Sequence, residues 1–367
     1  MKARTQRRHN RPLAERQLPL VLPAVGDTDT GEAQSIPPRK RDLRAWDPTS
    51  TPPVDPDELG HLVQWVRERE SIRRLREAGA PKPWTQDPIM QSYRWCNVRR
   101  MDDRVSQTLL QRWYPGTPAH EQLGAAALAR LINWPDSLLA ITGGHPYRAA
   151  HLDRALPALS ARAAMNQKIF TGVYVVPGRP GECKVDSVLG LVRAIHDNQA
   201  RLIAGSTKQT WANLCELPGL GSFLAGQIVA DLAHLSAGSA WPDRRTWAPA
   251  GPGSVRGLNR LFGRPTHSTL RQDAFETLLA HLIRIVSPLI SDICEDRQLY
   301  ACDFQSIACE VDKRARLRNQ EGRVRARYDG GVSSKADAPC PSQFDWLAPS
   351  DTTTLTDLRT EPFVLSQ

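Results

Sequence analysis

The spacing of the apolar residues constrains this chain most. From Asp57 onward Leu59, Leu62, Val63, Val66 and Ile72 recur at helical intervals up to Ala78-Gly79, the pattern of a helix with one buried face. Similar stretches follow at 87–113, 120–134, 146–164, 185–202, 210–235, 269–286 and 289–318. A single strand candidate, residues 171–176 (TGVYVV), precedes Pro177-Gly178. One short strand against this many helices predicts an all-α domain with at most one short strand or hairpin. No apolar run approaches the ~20 residues that a spanning helix needs, which excludes an integral membrane protein and a membrane partner. Seven cysteines at scattered spacings do not form a secreted disulfide framework.

Charge divides the chain further. Lys and Arg outnumber Asp and Glu by 48 to 39, for a net charge of +9. Residues 1–44 hold ten bases and five acids, whereas residues 328–367 hold two bases and six acids. The expected organisation is a disordered basic arm over 1–55, a helical domain over 56–327 with a hairpin near 214–235, and a disordered acidic tail over 328–367. The apolar string 18–25 after a basic start imitates a signal peptide, but its two prolines and poor cleavage site argue against export. A basic body points to a polyanionic partner, with nucleic acid first.

Four strings carry the chemistry. Leu217-Pro218-Gly219-Leu220-Gly221-Ser222 lies between helical stretches. Such a turn leaves backbone N–H groups open at the next helix start, where they bind phosphate. This is the hairpin with which helix-hairpin-helix proteins grip a DNA backbone, making Gly219, Gly221 and Ser222 DNA-binding candidates. Helix-hairpin-helix DNA glycosylases carry a catalytic Asp beyond the second glycine, and Asp243 stands 22 residues after Gly221. Asp231, on the helix after the hairpin, is a second catalytic candidate or else a helix-face acid or cap. No lysine sits in the hairpin, so a Schiff-base lyase lacks its nucleophile.

The string Ala250-Gly251-Pro252-Gly253-Ser254-Val255-Arg256 reads as a glycine-arginine loop. Five arginines and no acid lie between 244 and 264. Gly251 and Gly253 are candidates for phosphate contact and Arg256 for a guanidinium clamp. Residues 93–105 (YRWCNVRRMDDRV) read as helix, with Val98, Met101, Val105 and Leu109 as its buried stripe. Asn97, Arg100 and Arg104 then line up beside that stripe as catalytic candidates. In the fourth string, Ser306 to Lys313, Lys313 opens a run of seven bases and one acid reaching Arg327, a DNA-binding candidate. Cys294, Cys302 and Cys309 lack iron–sulfur spacing, no two histidines stand at zinc-ligand spacing, and no G-x-x-x-x-G-K-[ST] string occurs. No metal or cofactor is expected.

Together "RWCNVRRMDDRV", "LPGLGSFLAGQIVADL", "AGPGSVRGLNRLFG" and "ACEVDKRAR" resemble the motifs of the α-glutamyl/putrescinyl thymine pyrophosphorylase family, in order, over residues 91–318. That group includes phage amino acid:DNA transferases and the helical domain of hydroxymethyluracil DNA kinases. The resemblance implies a helix-hairpin-helix DNA glycosylase-like fold acting in the host cytoplasm on double-stranded DNA that carries modified thymine. Kinase members phosphorylate 5-hydroxymethyluracil in DNA. Transferase members replace that phosphate with an amine from an amino acid such as glycine or from a polyamine, which protects phage DNA from restriction. Without a P-loop string the transferase branch is favoured, with arginines holding the phosphate and an Asp taking the amine proton. Two other readings stay open: a glycosylase using Asp243, and a non-catalytic DNA-binding module.

Overall fold

The computed structural model describes residues 53–322 except 172–175, 177–181 and 295–297, together with residue 324. The described chain is all-α, and no strand occurs among the described residues. The expected strand lies almost wholly outside them, as do the acidic tail and all but the last residues of the basic arm.

Helix α1 (Pro56–Glu77) starts where chemistry requires it. Pro56 occupies the first helical position, where its missing N–H costs nothing, and the Asp55 carboxylate accepts from the N–H groups of Asp57 (3.1 Å) and Glu58 (3.3 Å). After α2 (Pro88–Ser92) and α3 (Arg104–Thr108) comes a run of helices: α4 (Gln122–Ile132), α5 (Pro135–Thr142), α6 (His151–Ala164), α7 (Lys184–Asp197) and α8 (Gln199–Leu202). Then follow α9 (Thr207–Cys215), α10 (Ser222–Leu232), α11 (Pro252–Leu261), α12 (Gln272–Leu289), α13 (Ser291–Cys294) and α14 (Ala301–Arg318).

These helices bury two cores. One is built by residues between Leu109 and Trp247, around α4, whose eleven residues are all buried. An Ala-rich helix apolar on every side can only be an interior element. The other core joins α1 to α11, α12 and α14, with Met90 and Val98 added. The first described helix therefore packs with the last ones, and the Asp55 N–H donates to the Leu261 carbonyl at 2.8 Å. The central helices form a lobe inserted between them.

Two expectations about local structure change. Residues 87–113 are not one helix. After α2 the chain is extended from Tyr93, makes a 3₁₀ turn at Arg100–Asp102, and resumes as α3 and a wide turn at Leu109–Trp113. Side-chain carboxylates take backbone donors that a helix would have used: Asp103 accepts from the Asn97 N–H at 2.8 Å and Asp303 from the Arg100 N–H at 2.7 Å. Asn97, Arg100 and Arg104 thus share no helical face, and Arg104 is exposed. Conversely, the supposed Gly-Pro-Gly loop is helix α11: Pro252 is its first residue, and the Ser254 hydroxyl accepts from the Gly251 N–H at 3.1 Å.

Candidate active site

The four strings, far apart in sequence, contact one another in pairs: segment 94–104 meets α10 through Arg100, and α11 meets α14 through Arg256. Asp231 on α10 is 1% exposed and lies opposite Arg130 of α4, whose Nε and Nη2 each donate to it at 2.6 Å. Tyr114 donates its hydroxyl to the same carboxylate at 2.6 Å. Arg100 reaches Asp231 at 3.5 Å and donates to Gln227 Oε1 at 2.5 Å. Burial alone would raise the Asp231 pKa, but Arg130 and Arg100 outweigh it and hold the carboxyl below its ordinary range. Such an acid is a poor proton acceptor. It fixes Arg130 and Arg100 at the junction, and so is neither a helix-face acid nor a cap.

Asp243 is likewise engaged in holding the fold. Its two oxygens accept from the N–H groups of Thr207 (2.8 Å) and Lys208 (2.9 Å), capping α9 from a distant loop. These two bonds satisfy N–H groups of the first turn, which have no partner within the helix.

Arg256 does not present an open guanidinium. Its Nε donates to Asp312 at 3.0 Å, its Nη1 lies 3.0 Å from His267 Nδ1, and Arg260 shares Asp312 at 3.2 Å. Gly253 and Gly257 are small because α14 crosses there: a Cβ on Gly253 would strike the Cys309 sulfur, and one on Gly257 the Ala308 carbonyl. Gly251 is buried where a Cβ would press on Gln305. Packing accounts for this string without a phosphate. Lys313 is pinned too: its ammonium donates to the Arg94 carbonyl and to Glu310 at 3.0 Å, and lies 4.3 Å from the Trp95 ring centre. Further along the run, Arg314 pairs with Asp87 at 2.8 Å and Arg318 with Glu58 at 3.6 Å. These bases tie α14 to α1 and α2.

The hairpin is different. Leu214, Leu220 and Leu224 anchor it in the first core, and Trp211 Nε1 donates to the Ser222 carbonyl at 2.9 Å. Gly219 has φ +90°, a conformation that suits glycine. Gly219, Gly221 and Ser222 are exposed, and a Cβ on either glycine would meet nothing within 4 Å. Gly221 caps α10 without a side chain, so the positive end of that helix faces outward.

Sequence reading missed several residues here. Burial pushes Asp103 up to about 6, despite the Asn97 N–H and the nearby Arg100 and Arg69. Asp303 is raised to about 6 by the same cause, but both its oxygens accept backbone N–H groups, from Arg100 and from Tyr300 at 2.7 Å. Asn97 donates its amide to the Asp102 carbonyl at 2.5 Å and so shapes the turn that presents Asp103. Burial pushes the Cys309 thiol up to about 12, and that of Cys96 well above its ordinary range, so both remain protonated packing groups. One signal for Arg130, which sequence reading also missed, was available: it sits inside a helix of apolar residues, where a buried guanidinium demands a partner acid. No helix among the described residues is long and apolar enough to cross a membrane.

Comparison with known proteins follows this geometry. Residues 58–324, well over half of the chain, match the family model described as "5-hmdU DNA kinase, helical domain". A 5-hmdU DNA kinase of Bacillus phage SP10 is 27% identical over 277 residues, covering 64% of this chain and 43% of the phage protein. The chain thus spans less than half the length of that relative. No solved structure matches it.

Proposed function

The chain belongs to the family of the 5-hmdU DNA kinase helical domain, and from that premise we propose that it hypermodifies thymidine in phage DNA, replacing the phosphate of 5-phosphomethyl-deoxyuridine with an amine. The donor is an amino acid of glycine size or a polyamine, and the product shields viral DNA from restriction. The observation that carries this reading is that one motif segment touches two others, through Arg100 to Asp231 and Gln227 and through the Arg94 carbonyl to Lys313. That segment, 94–104, sends Arg100 to the core junction and sets Asp103 beside Arg69.

The chemistry is a substitution at the exocyclic methylene. The C–O bond to phosphate breaks and its electron pair leaves on phosphate. The amine nitrogen supplies the pair for the new C–N bond, and its surplus proton passes to a base. The target must leave the duplex stack to react. The hairpin at Gly219 and Gly221 holds the DNA backbone through N–H donors, without reading sequence. Asp103 fits the proton acceptor better than Asp231, because burial holds its pKa near 6, closer to working pH than the lowered Asp231 carboxyl. Arg100, held by Asp231 and Gln227, orders the turn leading to Asp103.

The test is mass spectrometry of nucleosides from 5-phosphomethyl-deoxyuridine DNA incubated with the protein and glycine or putrescine. The expected product is an aminomethyl nucleoside carrying the donor, formed without ATP. Free base and abasic sites would establish a glycosylase instead. Unchanged nucleosides would leave a DNA-binding module.

A further inference from the structure

An open cleft of about 610 Å³ runs between α1 and residues 82–95, on the outer side of the motif segment. Its volume falls in the range that holds a nucleotide-sized ligand. Arg69 and Arg76 of α1 line it together with Lys82 and Arg94, and no carboxylate does. Trp84 and Trp95 line it as well, with Arg76 at 5.6 Å and Lys82 at 5.2 Å from the Trp84 ring centre and Lys313 at 4.3 Å from that of Trp95. None of these six lining residues was a candidate from sequence.

The floor is unusual in its polar accounting. Arg69 is 4% exposed, and its Nε donates to the Cys96 carbonyl at 2.8 Å. Its Nη1 is buried and has no hydrogen-bond partner among the described residues, and the same holds for Trp95 Nε1. Burial lowers the Arg69 pKa, opposed at longer range by Asp103 and Glu310, neither of which forms an ion pair with it. A buried guanidinium donor left unsatisfied is costly, and an anion is the group that removes the cost.

We propose that this cleft binds a phosphomonoester carried on a pyrimidine ring, with the phosphate against Arg69 and Arg94 and the ring in the part of the cleft lined by Trp84, Met90 and Tyr93. The inference rests on the reading above and deepens it by naming where the leaving phosphate sits. A duplex backbone is a broad surface that pairs with exposed cations, whereas a donor on the floor of a cleft suits one projecting group. Arg100 and Arg256 already face carboxylates, Asp231 and Asp312, which leaves Arg69 and Arg94 as the better phosphate ligands.

The experiment is calorimetric titration of the full chain with 5-phosphomethyl-2′-deoxyuridine, 5-hydroxymethyl-2′-deoxyuridine, inorganic phosphate and an unmodified DNA duplex. The phosphomethyl nucleoside is expected to bind more tightly than either of its parts. Arg69→Met and Arg94→Ala should each weaken it roughly tenfold to a hundredfold, as for a lost hydrogen bond to a charged group, and leave duplex affinity unchanged. Arg94 is exposed, so its variant carries the test if Arg69→Met fails to fold. Absence of nucleoside binding, equal binding by the variants, or a parallel loss of duplex affinity would each overturn the proposal. If binding behaves as expected but no amine is transferred, the cleft stands and the functional reading fails. If transfer occurs and both variants turn over normally, the reading stands and the cleft does not.

Discussion

The hairpin between α9 and α10 and the seam between α11 and α14 are both glycine strings, yet their glycines have opposite surroundings. In the hairpin a Cβ at Gly219 or Gly221 would enter open space. In the seam a Cβ at Gly253 or Gly257 would enter a neighbouring helix. The charges follow the same division. The seam's arginines, Arg256 and Arg260, converge on one buried acid, Asp312. The hairpin instead presents the uncapped start of α10 outward. The seam's small residues serve close helix packing, and the hairpin's serve close approach by something outside the fold.

The largest expected effect concerns neither region and so serves as the reference for both. Asp103→Asn should lower turnover by about 10²–10⁴ with DNA affinity and fold intact. Turnover in the unmodified chain should fall as pH drops through about 6, where Asp103 gains its proton. Stability moves in the opposite direction. The Asp103 pKa is raised from 3.8 to about 6 on folding, so its contribution is fully present below 3.8 and is lost as pH rises through 6. Asp103→Asn should flatten that part of the stability profile measured by urea unfolding between pH 4 and pH 6.

Next comes the seam's charge. Asp312→Ala leaves Arg256 and Arg260 without their shared buried acid, and should cost about 3–5 kcal/mol in chemical denaturation. A loss near zero would mean that Glu321, which also pairs with Arg260, is the dominant partner. The seam's packing follows: Gly257→Ala should cost about 1–3 kcal/mol through overpacking against the Ala308 carbonyl. The smallest thermodynamic effect, and the sharpest contrast, is Gly221→Ala. It should leave the melting temperature unchanged, because nothing lies within reach of the new methyl, and yet weaken duplex binding measured at low salt. Equal behaviour of Gly221→Ala and Gly257→Ala in the melt would break the comparison.

Much of the fold was legible because it depends on apolar period. The stripe of α1 and the apolar run 123–129 of α4 dictate buried helices whatever their neighbours. The break at 93–103 was not legible, since the carboxylates that capture its backbone donors are set by tertiary placement: Asp303 reaches Arg100 from a helix 203 residues away in sequence. The α11 string misled for a related reason. Proline between two glycines is turn chemistry unless the chain enters a helix there, and the partner that makes Gly253 and Gly257 necessary is α14, which local sequence does not reveal. The site suffered most. Asp243, Asp231, Arg256 and Lys313 were singled out for their charge, and each charge has a partner inside the protein. Arg69 and Asp103 looked like ordinary members of charged helices, and only burial sets them apart.

The most direct test follows inorganic phosphate and the amine in one sample under single-turnover conditions, with DNA bearing 5-phosphomethyl-deoxyuridine and an isotopically labelled amine. The account predicts one phosphate released for each labelled amine joined to DNA, at a common rate, with the N-glycosidic bond intact. Phosphate release without label in DNA, or label in DNA without phosphate release, would contradict it.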